Sequence, residues 1–77
     1  MKKNRVLIIE DDEDLREGLA FSFLGDGYEV LDVGTKEDGL KEIEKNIYDI
    51  VLLDCNLPDG TGFELCKAVR DFSNIPI

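Results

Sequence analysis

The 77-residue chain is long enough for one small domain, and its 35% charged and 43% apolar residues are the composition of a globular protein. Eighteen acidic residues against nine basic ones give a net charge of −9, which argues against nucleic-acid binding, and the lack of histidine removes the commonest general base and transition-metal ligand. No apolar run reaches the roughly 20 residues of a membrane-spanning helix or the length of a signal-peptide core, so we expect a cytoplasmic domain without a membrane partner.

A short strand and an amphipathic helix are predicted at the start of the chain. Residues 6–9 read Val-Leu-Ile-Ile, an apolar run typical of a buried parallel strand. Acidic residues occupy positions 10–14. The next apolar residues recur at helical spacing and predict a first helix whose buried face carries Leu15, Leu19, Ala20 and Phe23. Asp12 or Asp14 can cap this helix, and residues 25–27 form the turn that ends it.

The middle of the chain repeats the strand–helix pattern. Residues 28–33 partly alternate and predict a second strand. Thr35 and Asp38 form a capping-box pattern at the start of a second, weaker helix, which Gly39 is expected to interrupt early. The apolar positions of this helix are Leu40, Ile43 and Ile47. Residues 50–53 read Ile-Val-Leu-Leu and predict a third buried strand.

A loop, a third helix and the start of a fourth strand complete the chain. Residues 56–62 have loop composition, and residues 75–77 favour a strand. The third helix is marked by apolar residues at helical spacing, Phe63, Cys66, Ala68, Val69 and Phe72. This order predicts one α/β domain over residues 1–77 with a parallel sheet. Cys55 and Cys66 have no histidine or CxxC partner, so we expect structural free thiols, with Cys66 in the core.

Acidic residues follow two of the predicted strands at the edge where parallel sheets bind ligands. Glu10, Asp11 and Asp12 follow the first strand, and Asp54 follows the third. If these strands are neighbours, about 4.8 Å apart, three or four carboxylates converge on one pocket. Such a cluster favours a hard cation, most simply Mg²⁺, and an aspartate there can attack phosphorus. Residues 12–14 also have a plainer explanation as the acidic first turn of a helix.

Two segments resemble response-regulator receiver domains. Residues 6–16, Val-Leu-Ile-Ile-Glu-Asp-Asp-Glu-Asp-Leu-Arg, are similar to the first strand and acidic loop of that family. Residues 49–65 are similar to its phosphoacceptor strand and the loop that follows, and residues 73–77 to the approach to its fourth strand. The resemblance covers the whole chain. It implies a partial flavodoxin-like fold, a (βα)3 parallel sheet of strand order 2-1-3 with a possible fourth-strand stub.

The resemblance also implies roles for particular residues. Asp54 would be the phosphoacceptor, taking a phosphoryl group from a phosphohistidine on a sensor histidine kinase. Glu10 and Asp11 match the acidic pair that helps to hold Mg²⁺, with Asp11 as the direct ligand and Glu10 acting through water. Asp54 and the backbone carbonyl of Asn56 complete the metal ligands. Two further matches shape the loop, Pro58 and Gly62.

The length of the chain matters for this resemblance. Complete receivers have five βα units, whereas these residues supply three and a stub, without the family's switch Thr or Ser and its Lys. We therefore expect a truncated receiver in which phosphorylation is slowed rather than abolished. The open apolar edge of residues 50–53 predicts a homodimer or higher oligomer, by edge pairing or exchange of residues 75–77. The sequence of the loop at residues 56–62 resembles that of receivers joined to winged-helix DNA-binding domains. Transcriptional regulation is therefore expected of the full-length protein.

Two other functions stay open. One is a non-signalling flavodoxin-like fragment that keeps the acidic residues and self-associates through its sheet edge. The other is a phosphatase of the haloacid dehalogenase type, which also places a nucleophilic aspartate after an apolar strand. That family has a second aspartate two residues further on, where Asn56 stands. We therefore expect a phosphoacceptor rather than an enzyme, with at most self-phosphorylation from phosphodonors and slow hydrolysis of its aspartyl phosphate.

Overall fold

The computed structural model describes residues 4–54 and 56–70. In chain order these residues form β1 (Arg5–Ile9), α1 (Glu13–Gly25), β2 (Glu29–Val33), α2 (Lys36–Lys45), β3 (Ile50–Leu53), β4 (Asn56–Leu57), β5 (Gly60–Thr61) and α3 (Gly62–Arg70). The predicted alternation of strands and helices is confirmed. Within these ranges, no helix is both long enough and apolar enough to span a bilayer.

The main sheet has three parallel strands in the order β2-β1-β3, which confirms the expected 2-1-3 topology. Strand β1 lies in the middle and pairs with β2 along its whole length and with β3 from Val6 to Ile9. The register places Ile9 opposite both Val33 and Leu53. Since all three strands run the same way, the residues that follow them lie along one edge of the sheet.

The core forms on both faces of β1, whose residues 6–9 are fully buried. Leu7 and Ile9 point to one face, where they join a cluster with residues of β3, α2 and α3, among them Val51, Ile43, Leu65 and Val69. Successive strand residues point to opposite faces. Ile8 accordingly lies on the other face, where it lines a cavity together with Leu19 of α1. This two-sided burial explains why β1 is apolar without alternation.

Helix α1 is less buried than predicted. Leu19, Ala20 and Phe23 are half-buried, whereas Leu15 is 51% exposed, and no residue of the helix is fully buried. The helix packs on β1 and β2. Because one helix cannot cover three strands, the side of α1 nearest β3 is left beside an open cavity. Asp12 caps the helix by accepting the Leu15 amide at 3.1 Å, as expected.

Helix α2 differs from its prediction at its end and at Gly39. The helix ends at Lys45, and Ile47, expected on its buried face, lies beyond the end and is 78% exposed. Gly39 is buried and does not interrupt the helix. A Cβ atom at Gly39 would lie 2.5 Å from Cδ1 of Ile9, so the glycine lets α2 approach the central strand. The capping function of Thr35 is confirmed by the bond from the Asp38 amide at 3.1 Å.

Helix α3 presents a different face to the core than the one predicted. Its buried residues are Gly62, Leu65 and Val69, while Phe63 is 78% exposed. Cys66 is a free thiol, as expected, but it is only half-buried and lines an open cavity beside β3, so its placement in the core was wrong. The buried set follows one stripe of the helix, 62-65-69, and the side chains at 63 and 66 lie on the same side of it, where they line the cavity beside β3.

Smaller differences concern the loop and the ends of elements. The predicted loop at residues 56–62 contains an antiparallel two-stranded hairpin, β4 with β5, and its last residue begins α3. Strand β2 begins at Glu29 rather than at Tyr28. Predictions for Cys55, Phe72 and the fourth-strand stub at residues 75–77 lie outside the described residues.

Candidate functional site

Two acidic residues meet at the carboxyl edge of the sheet. Glu10 follows β1 and Asp54 follows β3, immediately after the paired residues Ile9 and Leu53. The Asp54 amide donates to the Ile9 carbonyl at 2.9 Å, and the Glu10 amide donates to the Val33 carbonyl at 3.0 Å. These bonds continue the ladders past the strand ends. The backbones of both residues are therefore fixed by the sheet rather than by a mobile loop.

The two carboxyl groups interact. Desolvation raises the pKa of Glu10, and the charge of Asp54 together with a hydrogen bond between the two side chains raises it further. A nearby Asp12 charge contributes in the same direction, and a backbone bond from Asp12 opposes it. Two carboxylates that repel each other at a partly buried site are stabilised by a cation between them.

Of the three or four carboxylates expected to converge, the structure brings two into hydrogen-bonded contact in the part of the chain that it describes. In those residues no group of three or more aspartate, glutamate, histidine or cysteine side chains is arranged to hold a metal ion. Asp12 is engaged as the cap of α1, and Asp11 is exposed. The structure therefore brings together Glu10 and Asp54, and the assignment of Asp11 as a direct metal ligand stays a prediction.

Oxygen donors of this kind fit magnesium. Mg²⁺ commonly takes one or two carboxylates from the protein and keeps several waters. Glu10 and Asp54 supply two carboxylates whose mutual repulsion a divalent cation would relieve. The loop after Asp54 also lies at this edge, because the Asn56 amide donates to Oδ1 of Asp54 at 3.3 Å.

Arg16 supports the acidic edge, and its role was not predicted. Its guanidinium donates from Nη1 to the Glu10 carbonyl at 2.9 Å, and its Nε lies 3.5 Å from Oδ2 of Asp32 in β2. A Cβ atom at Gly34 would lie 2.7 Å from Nη1 of Arg16, so a glycine there makes room for the guanidinium. Arg16 thus ties the start of the acidic loop to the end of β2. Its position one turn into α1, six residues after Glu10, was the sequence signal available.

The loop after β3 is held at both ends. Pro58 and Asp59 form the turn between β4 and β5, and Asn56 pairs with Thr61 across the hairpin. Thr61 caps α3, since its Oγ1 accepts the Glu64 amide at 3.1 Å. Gly62, expected to shape the loop, is buried as the first residue of α3. The hairpin therefore connects the edge carrying Asp54 to the start of α3.

Asp59 makes a second contact that sequence reasoning missed. Its Oδ1 accepts the Lys36 amide at 2.7 Å, and its Oδ2 accepts the Glu37 amide at 2.9 Å. These two bonds, with the charge of Lys36 as a smaller contribution, lower the pKa of Asp59 from its ordinary value. The carboxylate thus caps α2 from the loop. An Asp-Gly pair in a loop signals a turn, but nothing in the sequence identifies a partner 23 residues away.

Asp54 is accessible from two open cavities that flank β3. One, of about 390 Å³, lies on the α1 side and is lined by Glu10 and Leu19 among others. The other, of about 370 Å³, lies on the α3 side and is lined by Phe63 and Cys66 among others. Asp54 lines both of them. A carboxylate at this position is free to meet an incoming group while its backbone stays fixed.

A family model and curated relatives agree on one kind of domain. The family model described as response regulator receiver domain matches residues 6–77. The sensory transduction protein RegX3 of Mycolicibacterium smegmatis is 43% identical over 72 residues, which are 94% of this chain and 32% of the relative. The KDP operon transcriptional regulatory protein KdpE of Escherichia coli is 38% identical over 72 residues, which are again 94% of this chain and 32% of the relative. The chain thus spans about a third of the length of these relatives.

Solved structures share the fold. TrrA of Thermotoga maritima, a response regulator crystallised in complex with Mg²⁺-BeF, has a TM-score of 0.85 at 31% identity, covering 88% of this chain and 59% of that one. A complex of the histidine kinase ThkA with TrrA gives a TM-score of 0.87 at 29% identity, covering 95% and 63%. The strand order and the arrangement of helices therefore have close counterparts among known receivers.

Proposed function

This chain belongs to the response regulator receiver domain family, and from that premise we propose that its Asp54 accepts a phosphoryl group with the help of Mg²⁺. The observation that carries the proposal is the placement of Asp54 beside Glu10 at the carboxyl edge of the sheet. Receiver domains are signalling modules rather than classical enzymes, which fits a site built around one carboxylate nucleophile.

The proposed step is a transfer to the Asp54 carboxylate. A carboxylate oxygen attacks the phosphorus of the donor, the new oxygen–phosphorus bond forms, and the bond to the leaving group breaks. The product is an acyl phosphate on Asp54. Mg²⁺, when bound, supplies positive charge that neutralises the carboxylates and the transferring oxygens. Glu10 and Asp11 are the proposed side-chain partners of Asp54 in holding the ion, with the Asn56 carbonyl.

The donor proposed is a phosphohistidine on a sensor histidine kinase. The imidazole leaves as a neutral ring, with a proton that its other nitrogen already carries or that solvent supplies. The transfer needs no general base on the receiver, because the attacking carboxylate has no proton to lose. The solved complex of ThkA with TrrA shows that a protein of this fold assembles with a histidine kinase. Relatives that are transcriptional regulators support gene regulation as the output of the full-length protein, and the proposed location is the cytoplasm.

The metal dependence is the first test. Incubation with acetyl phosphate and Mg²⁺ is expected to add one phosphoryl group to the chain. Intact mass spectrometry measures this gain in mass. Removal of Mg²⁺ with EDTA should slow this reaction at least about a hundredfold, because charge stabilisation of a phosphoryl transfer contributes several kcal/mol. Excess Mg²⁺ should restore the rate. Equal rates with and without EDTA would contradict the assignment of Mg²⁺.

A second proposal concerns self-association of the 77-residue chain. Within residues 4–54 and 56–70, β3 pairs on one side with β1 and leaves its other edge free. The neighbouring cavity is lined by apolar residues of β3 and α3, including Leu52 and Phe63. An apolar edge with unpaired backbone groups favours pairing with a second copy.

Light scattering after size exclusion tests this association. The chain at micromolar concentration is expected to have the mass of a dimer or a larger oligomer. Leu52→Lys should shift it to the monomer, since a charge on an edge strand opposes pairing. Leu24→Lys, at an exposed position of α1, should leave the mass unchanged. A folded monomer in the unsubstituted chain would refute self-association.

A further inference from the structure

The turn between β4 and β5 is fastened to a helix that lies elsewhere in the sequence. Both oxygens of the Asp59 carboxylate are used, one for the Lys36 amide at 2.7 Å and one for the Glu37 amide at 2.9 Å. These amides are at the first turn of α2 and would otherwise lack a partner within the helix. The carboxylate therefore bridges the loop after β3 and the start of α2.

An ion pair between α2 and α3 lies beside the turn. Lys36 Nζ lies 3.2 Å from Oε2 of Glu64 in α3. A Cβ atom at Gly60 would lie 2.8 Å from Lys36 Nζ and 2.9 Å from Glu64 Oε2, so the hairpin passes directly beside this ion pair. The turn is thus fixed between α2 and α3, with a cation and a second carboxylate beside Asp59.

Helix α2 already has a cap of its own. Thr35 Oγ1 accepts the Asp38 amide at 3.1 Å, and the Thr35 carbonyl accepts the Gly39 amide at 3.1 Å. A local cap of this kind satisfies one of the free amides at the start of a helix and is the usual capping arrangement. The additional bonds from Asp59 therefore fix the position of the loop more than they serve the helix.

The fastened turn is the far end of a short hairpin that begins at the site. Asn56 pairs with Thr61 and Leu57 with Gly60, so Asp59 is separated from Asn56 by one ladder of two pairs. At the near end, the Asn56 amide donates to Oδ1 of Asp54 at 3.3 Å. A displacement of the turn would therefore reach the backbone that faces Asp54.

We propose that Asp59 is a positioning residue, whose carboxylate holds the β4–β5 hairpin against α2 and so keeps the Asn56 backbone in place beside Asp54. The consequence for cation binding rests on the proposed function, in which the Asn56 carbonyl is a ligand. The consequence for the Asn56 amide does not, because that contact joins two groups of this chain.

Two variants and a matched control test the inference. Asp59→Ala removes both acceptors, and Asp59→Asn keeps one oxygen. Asp49→Ala is the control, because the exposed Asp49 carboxylate also accepts a backbone amide, that of Arg5 at 2.7 Å, but before β3 at the opposite edge of the sheet. The readouts are amide hydrogen exchange in the metal-free protein and the Mg²⁺ dissociation constant by calorimetry, both at a temperature where every variant is folded.

Asp59→Ala is expected to speed amide exchange at Lys36, Glu37 and Asn56. It should also raise the Mg²⁺ dissociation constant about tenfold, which is the smallest loss of affinity usual when a residue supporting a metal ligand is removed. Asp59→Asn should fall between this variant and the unsubstituted chain, and Asp49→Ala should change neither readout.

Exchange that rises at Lys36 and Glu37 while Asn56 and the dissociation constant match the control would reduce Asp59 to a helix cap and overturn the inference. Unchanged exchange at all three amides would overturn it as well. If the unsubstituted chain fails to bind Mg²⁺ while Asp59→Ala still speeds exchange at Asn56, the proposed function fails and the positioning contact stands.

Discussion

Asp54→Asn is expected to abolish phosphorylation of the chain by acetyl phosphate. The substitution preserves the size of the side chain and leaves the backbone bond from the Asp54 amide to the Ile9 carbonyl in place. It replaces the nucleophilic carboxylate with an amide, which cannot form a stable acyl phosphate. Intact mass spectrometry after incubation with acetyl phosphate and Mg²⁺ measures the loss.

A matched substitution separates this effect from a general change in charge. Asp26→Asn removes the same charge from an exposed residue at the end of α1, at the opposite edge of the sheet. It should gain one phosphoryl group as the unsubstituted chain does. Phosphorylation that persists in Asp54→Asn at the rate of Asp26→Asn would show that the acceptor lies elsewhere.

Leu7→Ala is expected to destabilise the fold by about 2–5 kcal/mol, the usual range for truncating a buried leucine to alanine. Leu7 is fully buried in the central strand and contacts the cluster shared by α2, α3 and β3. Natural domains have a total stability of only about 5–15 kcal/mol, and small domains lie at the low end. A large shift of the urea midpoint, or loss of cooperative unfolding, should therefore be seen by circular dichroism.

The same substitution at an exposed leucine gives the control. Leu24 in α1 is more than half exposed, so Leu24→Ala should change stability by about 0.5 kcal/mol or less. Equal urea midpoints for Leu7→Ala and Leu24→Ala would show that residues 6–9 are not packed at the centre of the sheet.

The strands and the acidic edge of the sheet were predictable because their signals are local. Residues 6–9 and 50–53 are wholly apolar, and strands that alternate with helices form a parallel sheet whose carboxyl ends share one edge. That reasoning placed Glu10 and Asp54 at the same edge, and the register of Ile9 with Leu53 brings them together. The order β2-β1-β3 followed from the family resemblance, since periodicity alone does not determine which strands are neighbours.

The orientation of the helices was less predictable. Helix α3 is apolar over a wide arc, so its sequence allows either residues 63 and 66 or residues 62 and 65 to face the core. Packing against the cluster around Val51 selects the second, and Phe63 is left exposed. At Gly39 the sequence predicted an interruption of the helix that the structure does not have. Glycine lowers helix propensity, but the close approach of Ile9 makes a side chain at that position unfavourable, and tertiary packing prevails over propensity.

Contacts that join separate elements were not predicted. Arg16 on α1 bonds the Glu10 carbonyl and Asp32, and Asp59 in the hairpin turn bonds the first turn of α2. Both are charged residues in segments that already contain many charged residues, so neither stands out in the sequence. Two-residue strands such as β4 and β5 are also too short to show a periodicity. These contacts and the hairpin determine how the loops lie around Asp54, so the fine geometry of the site depends on tertiary structure.

Chemical mapping of the phosphorylated residue tests most directly whether the carboxylate after β3 is the acceptor. The chain is incubated with acetyl phosphate and Mg²⁺ and then reduced with borohydride, which converts an aspartyl phosphate into homoserine. Peptide mass spectrometry locates the change. We expect homoserine at position 54 and unmodified aspartate and glutamate elsewhere. Modification at another acidic residue, or none in folded protein that binds Mg²⁺, would contradict the assignment of Asp54.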